Sequence, residues 1–227
     1  MPLRVHYLSM GLAQAYLLEK EDGFYLVDAG FQSYENRVLE LMQKLGGKDL
    51  RLIFISHAHL DHYGSAAALR RQTNAPITIH RLDAQAMSQG KSPLGSARGR
   101  GKLVEYFLPA FLRMKSLEPT QPNLLVEDGE SIYSHGLDAR IIHLPGHTPG
   151  STCLLVEERL AFVGDLLSTN GKPHIQRYYA HDWSLIPSSL AKLQSFQPEW
   201  IYPGHGRQPL DSQNFQNLVN QFLRIDA

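Results

Sequence analysis

Three histidines and a carboxylate fall within the six residues His57 to His62, in the segment Ser56-His57-Ala58-His59-Leu60-Asp61-His62. Neutral imidazole and carboxylate are the nitrogen and oxygen donors that zinc, iron and manganese accept, whereas a structural zinc site normally recruits thiolate as well. The chain has one cysteine, Cys153, and it is not near this segment. The cluster therefore reads as a catalytic metal site with open positions. Donors of the same kinds recur further along: His147 in Pro145-Gly146-His147-Thr148-Pro149-Gly150, Asp165 in Val163-Gly164-Asp165, and His205 in Pro203-Gly204-His205-Gly206. Each of these three follows a glycine, which permits a tight turn and close backbone approach. Seven donors exceed the needs of one ion and suit two ions that share a carboxylate.

Such donors can meet only if regular elements deliver them to one place. The apolar run Leu52-Ile53-Phe54-Ile55 predicts a buried strand, Arg51 to Ile55, feeding the histidine segment. Before it the chain reads as strands at Arg4 to Ser9, where the residues alternate, and at Ala13 to Glu19 and Phe24 to Asp28, the last two joined by the turn Glu21-Asp22-Gly23. Val38, Leu39, Met42 and Leu45 at helical spacing predict a helix from Tyr34 to Leu45, stopped by Gly46-Gly47. A helix from Gly64 to Arg71 and a strand from Ile77 to His80 complete a βαβ pattern. Later strands are expected at Ser131 to Tyr133, Ala139 to Leu144, Thr152 to Val156, Leu160 to Val163 and Trp200 to Tyr202. Helices are expected at Trp183 to Phe196 and at Asp211 to Ile225, the latter capped by Asp211. His147, Asp165 and His205 then share one address, the loop after a strand. Two strand-rich halves that each finish in helices predict an α/β sandwich, two sheets face to face with helices on both outer faces.

With 227 residues, 43% of them hydrophobic, the chain is expected to form one domain over 1–227, with a helical insertion at about 83–123. Lys+Arg and Asp+Glu are equal at 22 each, so overall charge gives no reason to expect nucleic acid or membrane as a partner. The insertion is the local exception, with Lys91, Arg98, Arg100, Lys102, Arg113 and Lys115 against Glu105 and Glu118. It reads as a solvated helical segment, and alternatively as a cap that attracts an anionic substrate. No apolar run approaches the roughly 18 residues of a membrane span. A single cysteine and an N-terminus without a signal-peptide pattern set the expectation of a cytoplasmic protein.

The ordered pattern His57-x-His59-x-Asp61-His62, His147, Asp165, His205 resembles that of the metallo-β-lactamase-fold hydrolases, and the resemblance spans most of the chain. It implies an αββα sandwich. It also implies one metal held by His57, His59 and His147, a second held by Asp61, His62 and His205, and Asp165 as the bridge. Asp28, in Val27-Asp28-Ala29-Gly30, matches the acidic residue after an early strand that supports the ligands in that family. The chemistry expected is attack by a hydroxide shared between two divalent metals, most simply Zn2+ with Fe or Mn as alternatives. Asp61 would orient the nucleophile or shuttle its proton.

Departures from known subgroups narrow the substrate. Sequences resembling true β-lactamases carry cysteine or serine where Asp165 stands. Acyl-homoserine lactonases place a tyrosine where Ser168 stands. The first expectation is a hydrolase of ester-type bonds in small molecules, lactones or thioesters. The alternatives are a phosphodiesterase, favoured by the basic insertion, or an iron-dependent redox enzyme of the persulfide dioxygenase type. Substrate contacts are expected from the insertion and from residues 168–182, with Tyr178 and His181 as candidate hydrogen-bond donors to carbonyl or leaving group. Composition is silent on oligomeric state.

Overall fold

The computed structural model describes residues 2–99, 101–102 and 117–225. Strands β1 (Arg4–Met10), β2 (Ala13–Lys20) and β3 (Gly23–Val27) form a meander, and α1 (Glu35–Lys44) leads to β4 (Leu50–Ile55). The chain then makes α2 (Leu60–Tyr63), α3 (Ala66–Thr73), β5 (Ile77–His80), α4 (Arg81–Ser88), β6 (Ser96–Ala97) and β7 (Leu124–Val126). The second half contributes β8 (Ala139–His143), β9 (Thr152–Val156), β10 (Leu160–Thr169), β11 (His174–Ile175) and β12 (Tyr179–Ala180). It closes with α5 (Ile186–Ser195), β13 (Trp200–Gly206), β14 (Leu210–Asp211) and α6 (Ser212–Ile225).

One sheet has the order β1-β2-β3-β4-β5-β7, antiparallel up to β3 and parallel from β3 to β7. The other has the order β14-β13-β10-β9-β8, with β11 paired to β10. Side chains alternate along each strand, so neighbouring residues enter different cores. In β2, Tyr16 and Leu18 pack with Phe54, Leu154 and Phe162 between the sheets. Ala15 and Leu17 of the same strand face the opposite way, with Val38, Leu69 and Met87 of the helices. On the far side, Cys153 and Leu155 of β9 pack with Leu190 and Leu193 of α5 and with Phe215 and Val219 of α6. Three apolar layers between four secondary-structure layers make the αββα sandwich. Double coverage explains why the central strands are nearly continuous in apolar residues. Cys153 is buried in that packing, which pushes its thiol pKa up and leaves it a small apolar filler.

Several elements differ from expectation. Ser131 makes only an isolated bridge to Arg140, and a 3-10 turn follows at Tyr133–His135, so there is no strand at 131–133. Strand β10 runs on to Thr169 rather than stopping at Val163. The segment expected as an insertion at about 83–123 begins with α4, whose buried Met87 joins the helix-side core of the first sheet. Its expected helix at Leu103 to Met114, with Phe107, Phe111 and Met114, lies outside the described residues, as do Arg100, Arg113 and Lys115. Asp211 accepts from Asn214 N–H at 2.8 Å, as a cap should. No helix among the described residues is long and apolar enough to cross a membrane.

Candidate metal centre

The two sheets bring their strand ends to one edge of the sandwich. Strand β4 ends at Ile55 and releases His57 and His59 into a short loop, with Asp61 and His62 on α2. His147 lies in the loop between β8 and β9. Asp165 and His205 are not in loops beyond strands, as the sequence suggested, but inside β10 and β13. These two parallel strands slip register between Gly164 and Ser168, and the irregularity turns Asp165 toward the histidines. Gly204 makes this approach possible. A Cβ there would stand 2.5 Å from Asp165 Oδ1 and 2.6 Å from the His62 ring.

Seven side chains form two adjoining donor groups, His57, His59, His147 and Asp165 in one and Asp61, His62 and His205 in the other. In the first, His59 Nδ1 lies 3.1 Å from His57 Nε2 and 2.9 Å from His147 Nε2. Asp165 stands between the groups: Oδ2 is 3.5 Å from His147 Nε2 and 3.1 Å from His205 Nε2, and Oδ1 is 3.2 Å from His62 Nε2. Asp61 Oδ2 is 3.4 Å from His205 Nε2.

The outer ring nitrogens decide what the inner ones can do. His59 Nε2 faces Pro93 O at 2.8 Å, His147 Nδ1 faces Tyr179 O at 3.2 Å, and His205 Nδ1 faces Leu12 O at 2.9 Å. A carbonyl only accepts, so these nitrogens of His59 and His205 carry the proton, whereas His147 Nδ1 also meets the donating Gln176 Nε2 at 3.0 Å, so carbonyl and amide oppose each other there. His62 Nδ1 donates to Asp28 Oδ2 at 2.8 Å. The Ser56 hydroxyl donates to the same carboxylate at 2.9 Å, so its oxygen accepts from His57 Nδ1 at 3.0 Å. In their neutral forms His57, His59, His62 and His205 thus present an unprotonated nitrogen inward. His62 Nε2 and Asp165 Oδ1 are buried without a hydrogen-bond partner. Imidazoles and carboxylates crowded together, with buried polar atoms left without partners, are what a cation would satisfy, and the donor set fits divalent metal.

Protonation divides the centre. Burial, then the neighbouring His62, His59 and His147, hold His57 well below the ordinary histidine value. Burial and His59 take His147 down to about 3, and burial lowers His59 also. Burial works against charge at His205 too, but the Asp165 and Asp61 carboxylates outweigh it and raise the pKa to about 9. At His62 burial is likewise overcome, by Asp165, Asp28 and Asp61, and its pKa stands well above the ordinary value. Burial would raise the Asp165 pKa, but His205 and His62 hold it well below the usual carboxylate range.

Asp28 accepts from Ser56 N at 2.8 Å as well as from Ser56 Oγ and His62. It does so from a left-handed backbone with φ of 60°. Other supports had no sequence signal. Asp83 of α4 accepts from Ala58 N, Thr148 Oγ1 and Gly150 N, yet an acidic residue in a first helical turn reads as an ordinary dipole partner. Gln176 donates to Asp165 O at 3.2 Å and accepts from Arg177 N and Tyr178 N. Backbone carbonyls such as those of Pro93, Tyr179 and Leu12 carry no residue signature at all.

A cavity of about 280 Å³ opens from Asp165 and His205 and is lined also by Leu12, His174, Arg177 and Tyr178. Tyr178 Oη accepts from Arg177 Nη2 at 2.9 Å. His181 is exposed and does not line this cavity; its backbone N–H donates to His147 O at 3.0 Å. Strand β12 pairs with β6, and Arg98 lies over the Trp183 ring at 4.5 Å, so one described cation of the expected basic patch stacks on an aromatic face.

Residues 10–205 match the family model of the metallo-beta-lactamase superfamily. The chain is 29% identical over 242 residues to the probable metallo-hydrolase YflN of Bacillus subtilis, covering 96% of this chain and 89% of that protein. It is 25% identical to hydroxyacylglutathione hydrolase GloC of Haemophilus influenzae, covering 83% of this chain and 82% of that protein. It is 28% identical to an N-acyl homoserine lactonase of Bacillus sp, covering 63% of this chain and 57% of that protein. Among solved structures, TTHA1623 in a di-iron-bound form superposes with a TM-score of 0.71 at 26% identity, covering 96% of this chain and 99% of that chain.

Proposed function

The chain belongs to the metallo-beta-lactamase superfamily and is a metal-dependent hydrolase, and on that premise we propose that it cleaves ester-type bonds, lactone or thioester, in small molecules with two metals. The observation that carries this is Asp165, whose carboxylate reaches His147 on one side and His62 and His205 on the other. In this reading His57, His59 and His147 hold one metal, Asp61, His62 and His205 hold the second, and Asp165 belongs to both. When bound, such a pair supplies Lewis acidity and a water of lowered pKa, toward ~7.

The chain's own groups do the rest. Asp28 and the carbonyls of Pro93 and Leu12 keep the protons of His62, His59 and His205 outward. Asp61, with its side chain 18% exposed, is the more solvent-open carboxylate of the centre, and the oxygen it does not give to a metal would orient the attacking water or take its proton. Tyr178 Oη accepts from Arg177, which leaves its own proton free for a carbonyl or leaving group at the cavity wall. Leu12 supplies apolar surface at the mouth.

Zinc is the metal we propose, since three histidines with a further position left for water are a catalytic zinc set. Iron is the second reading, favoured by the di-iron form of TTHA1623. The names of GloC and of the lactonase support carbonyl substrates over phosphodiesters. The test is metal analysis of the purified protein, followed by a panel of thioesters, lactones and bis-p-nitrophenyl phosphate on zinc- and iron-loaded protein. Turnover of the phosphodiester alone refutes the ester reading, and sulfur oxidation by iron-loaded protein alone refutes hydrolysis as the activity.

A further inference from the structure

Asp83 lies outside the donor groups, on a different element from every candidate ligand, and is 3% exposed. Its carboxylate has three protein donors. Ala58 N donates to Oδ2 at 2.8 Å, Thr148 Oγ1 to the same oxygen at 2.7 Å, and Gly150 N to Oδ1 at 2.7 Å. Ala58 sits between His57 and His59, and Thr148 follows His147. One buried carboxylate therefore holds the chain beside all three histidines of one donor group. It joins a loop of the first sheet to a loop of the second. None of its partners adjoins His205, and Asp61 and His62 rest on other supports, α2 and Asp28.

Further along, the same stretch of chain reaches the segment that carries residues of both donor groups. Seven residues beyond the first turn of α4, Tyr63 Oη donates to Lys91 O, Leu60 N donates to Ser92 Oγ, and His59 donates to Pro93 O. Gly150 closes the arrangement: a Cβ there would stand 2.7 Å from Asp83 Cγ and Oδ1, so only glycine lets the carboxylate in.

We infer that Asp83 is a positioning residue that sets the separation of His147 from His57 and His59, and through it the metal affinity of the three-histidine position alone. Two of its three donors are backbone N–H groups, which cannot reverse their role. Asparagine keeps one acceptor, so in Asp83→Asn the new amide N–H must face either Ala58 N–H or Gly150 N–H, and the two loops move apart. This inference rests on the two-metal reading.

The test is titration of metal-stripped protein with Co2+ and Zn2+ against a competing chelator, with thermal melting of the metal-free forms alongside. Wild type is expected to load two equivalents. Asp83→Asn is expected to lose about 10- to 100-fold in affinity for one equivalent, the usual effect of removing an outer support. The other equivalent should be unchanged, and the Co2+ absorption of the three-histidine position should change. Thr148→Val, which deletes one neutral hydrogen bond, should weaken the same equivalent by about three- to tenfold, and Thr148→Ser should restore it. These milder variants keep the inference testable if Asp83→Asn does not fold. A purely structural role predicts lower melting temperatures with both affinities intact, and that result overturns the inference. Wild type that loads no metal overturns the two-metal reading and this inference together. Wild type with two equivalents beside unchanged variants overturns this inference alone.

Discussion

Replacing Asp28 by asparagine tests the proton arrangement on which the centre depends. Asparagine is the best choice because it tolerates the left-handed backbone, φ 60°, that Asp28 adopts. Its oxygen must stay on Ser56 N–H, which the backbone cannot turn, so its amide N–H replaces Oδ2 opposite His62 Nδ1 and Ser56 Oγ. His62 then has to accept at Nδ1 and carry its proton on Nε2, pointing at Asp165. The Ser56 hydroxyl, deprived of Asp28, turns to His57 Nδ1 and drives that ring to the other tautomer too. One ligand in each donor group is thereby blocked. Loss of an outer support typically lowers metal affinity about 10- to 100-fold, ~1.4 to 2.8 kcal/mol, and both positions should show it. Without metal, the lost charge-assisted bond to buried His62 should destabilise the fold by about 1.5 to 3 kcal/mol. Isothermal titration of stripped protein with Zn2+ measures the affinities, and long-range 15N correlation of the histidine rings reads the tautomers. Two unchanged affinities refute the reasoning outright. A loss confined to the position of His62 refutes the relay through Ser56.

Asp165→Ala removes the group shared by the two halves, so one-metal loading with turnover near background is expected; two metals bound at full activity counts against the bridge. The opposite pKa shifts predict that the halves load differently with pH. His57, His59 and His147 lie below the ordinary histidine value, so their position should bind with little pH dependence from 7 to 9. His62 and His205, the latter at about 9, must give up protons. Affinity at their position should therefore fall as pH drops below 9, by about tenfold per unit for each proton displaced. Metal titrations in buffers of different ionisation enthalpy measure that release, and equal slopes at both positions contradict the assignment. Tyr178→Phe removes the free phenolic proton without altering the cavity wall. It should lower kcat by about 10- to 100-fold with bound metal unchanged, and unaltered kinetics exclude Tyr178 as the donor.

Much of the architecture was legible along the chain because the signals are local. Alternation placed β1, an unbroken apolar run placed β4, and the crowding of His57, His59, Asp61 and His62 after that run marked the candidate site. Where local and tertiary preferences diverge, legibility failed. Residues 131–133 alternate like a strand, but only Ser131 pairs, and the chain turns at Tyr133–His135. Asp165 follows a glycine that reads as a strand end, yet pairing with β13 carries β10 on to Thr169.

Residue types and their order were enough to pick out the seven side chains that the fold gathers, since few other arrangements put so many imidazoles and carboxylates near the ends of apolar strands. They could not say which nitrogen of each ring faces inward. That choice rests on Leu12 O for His205 and on Pro93 O for His59. Nor could they single out Asp83, whose bonds cross to Ala58 and Gly150. A carbonyl is common to every residue and a lone aspartate to many helices, so their importance exists only once packing of the two sheets has set them against the histidines.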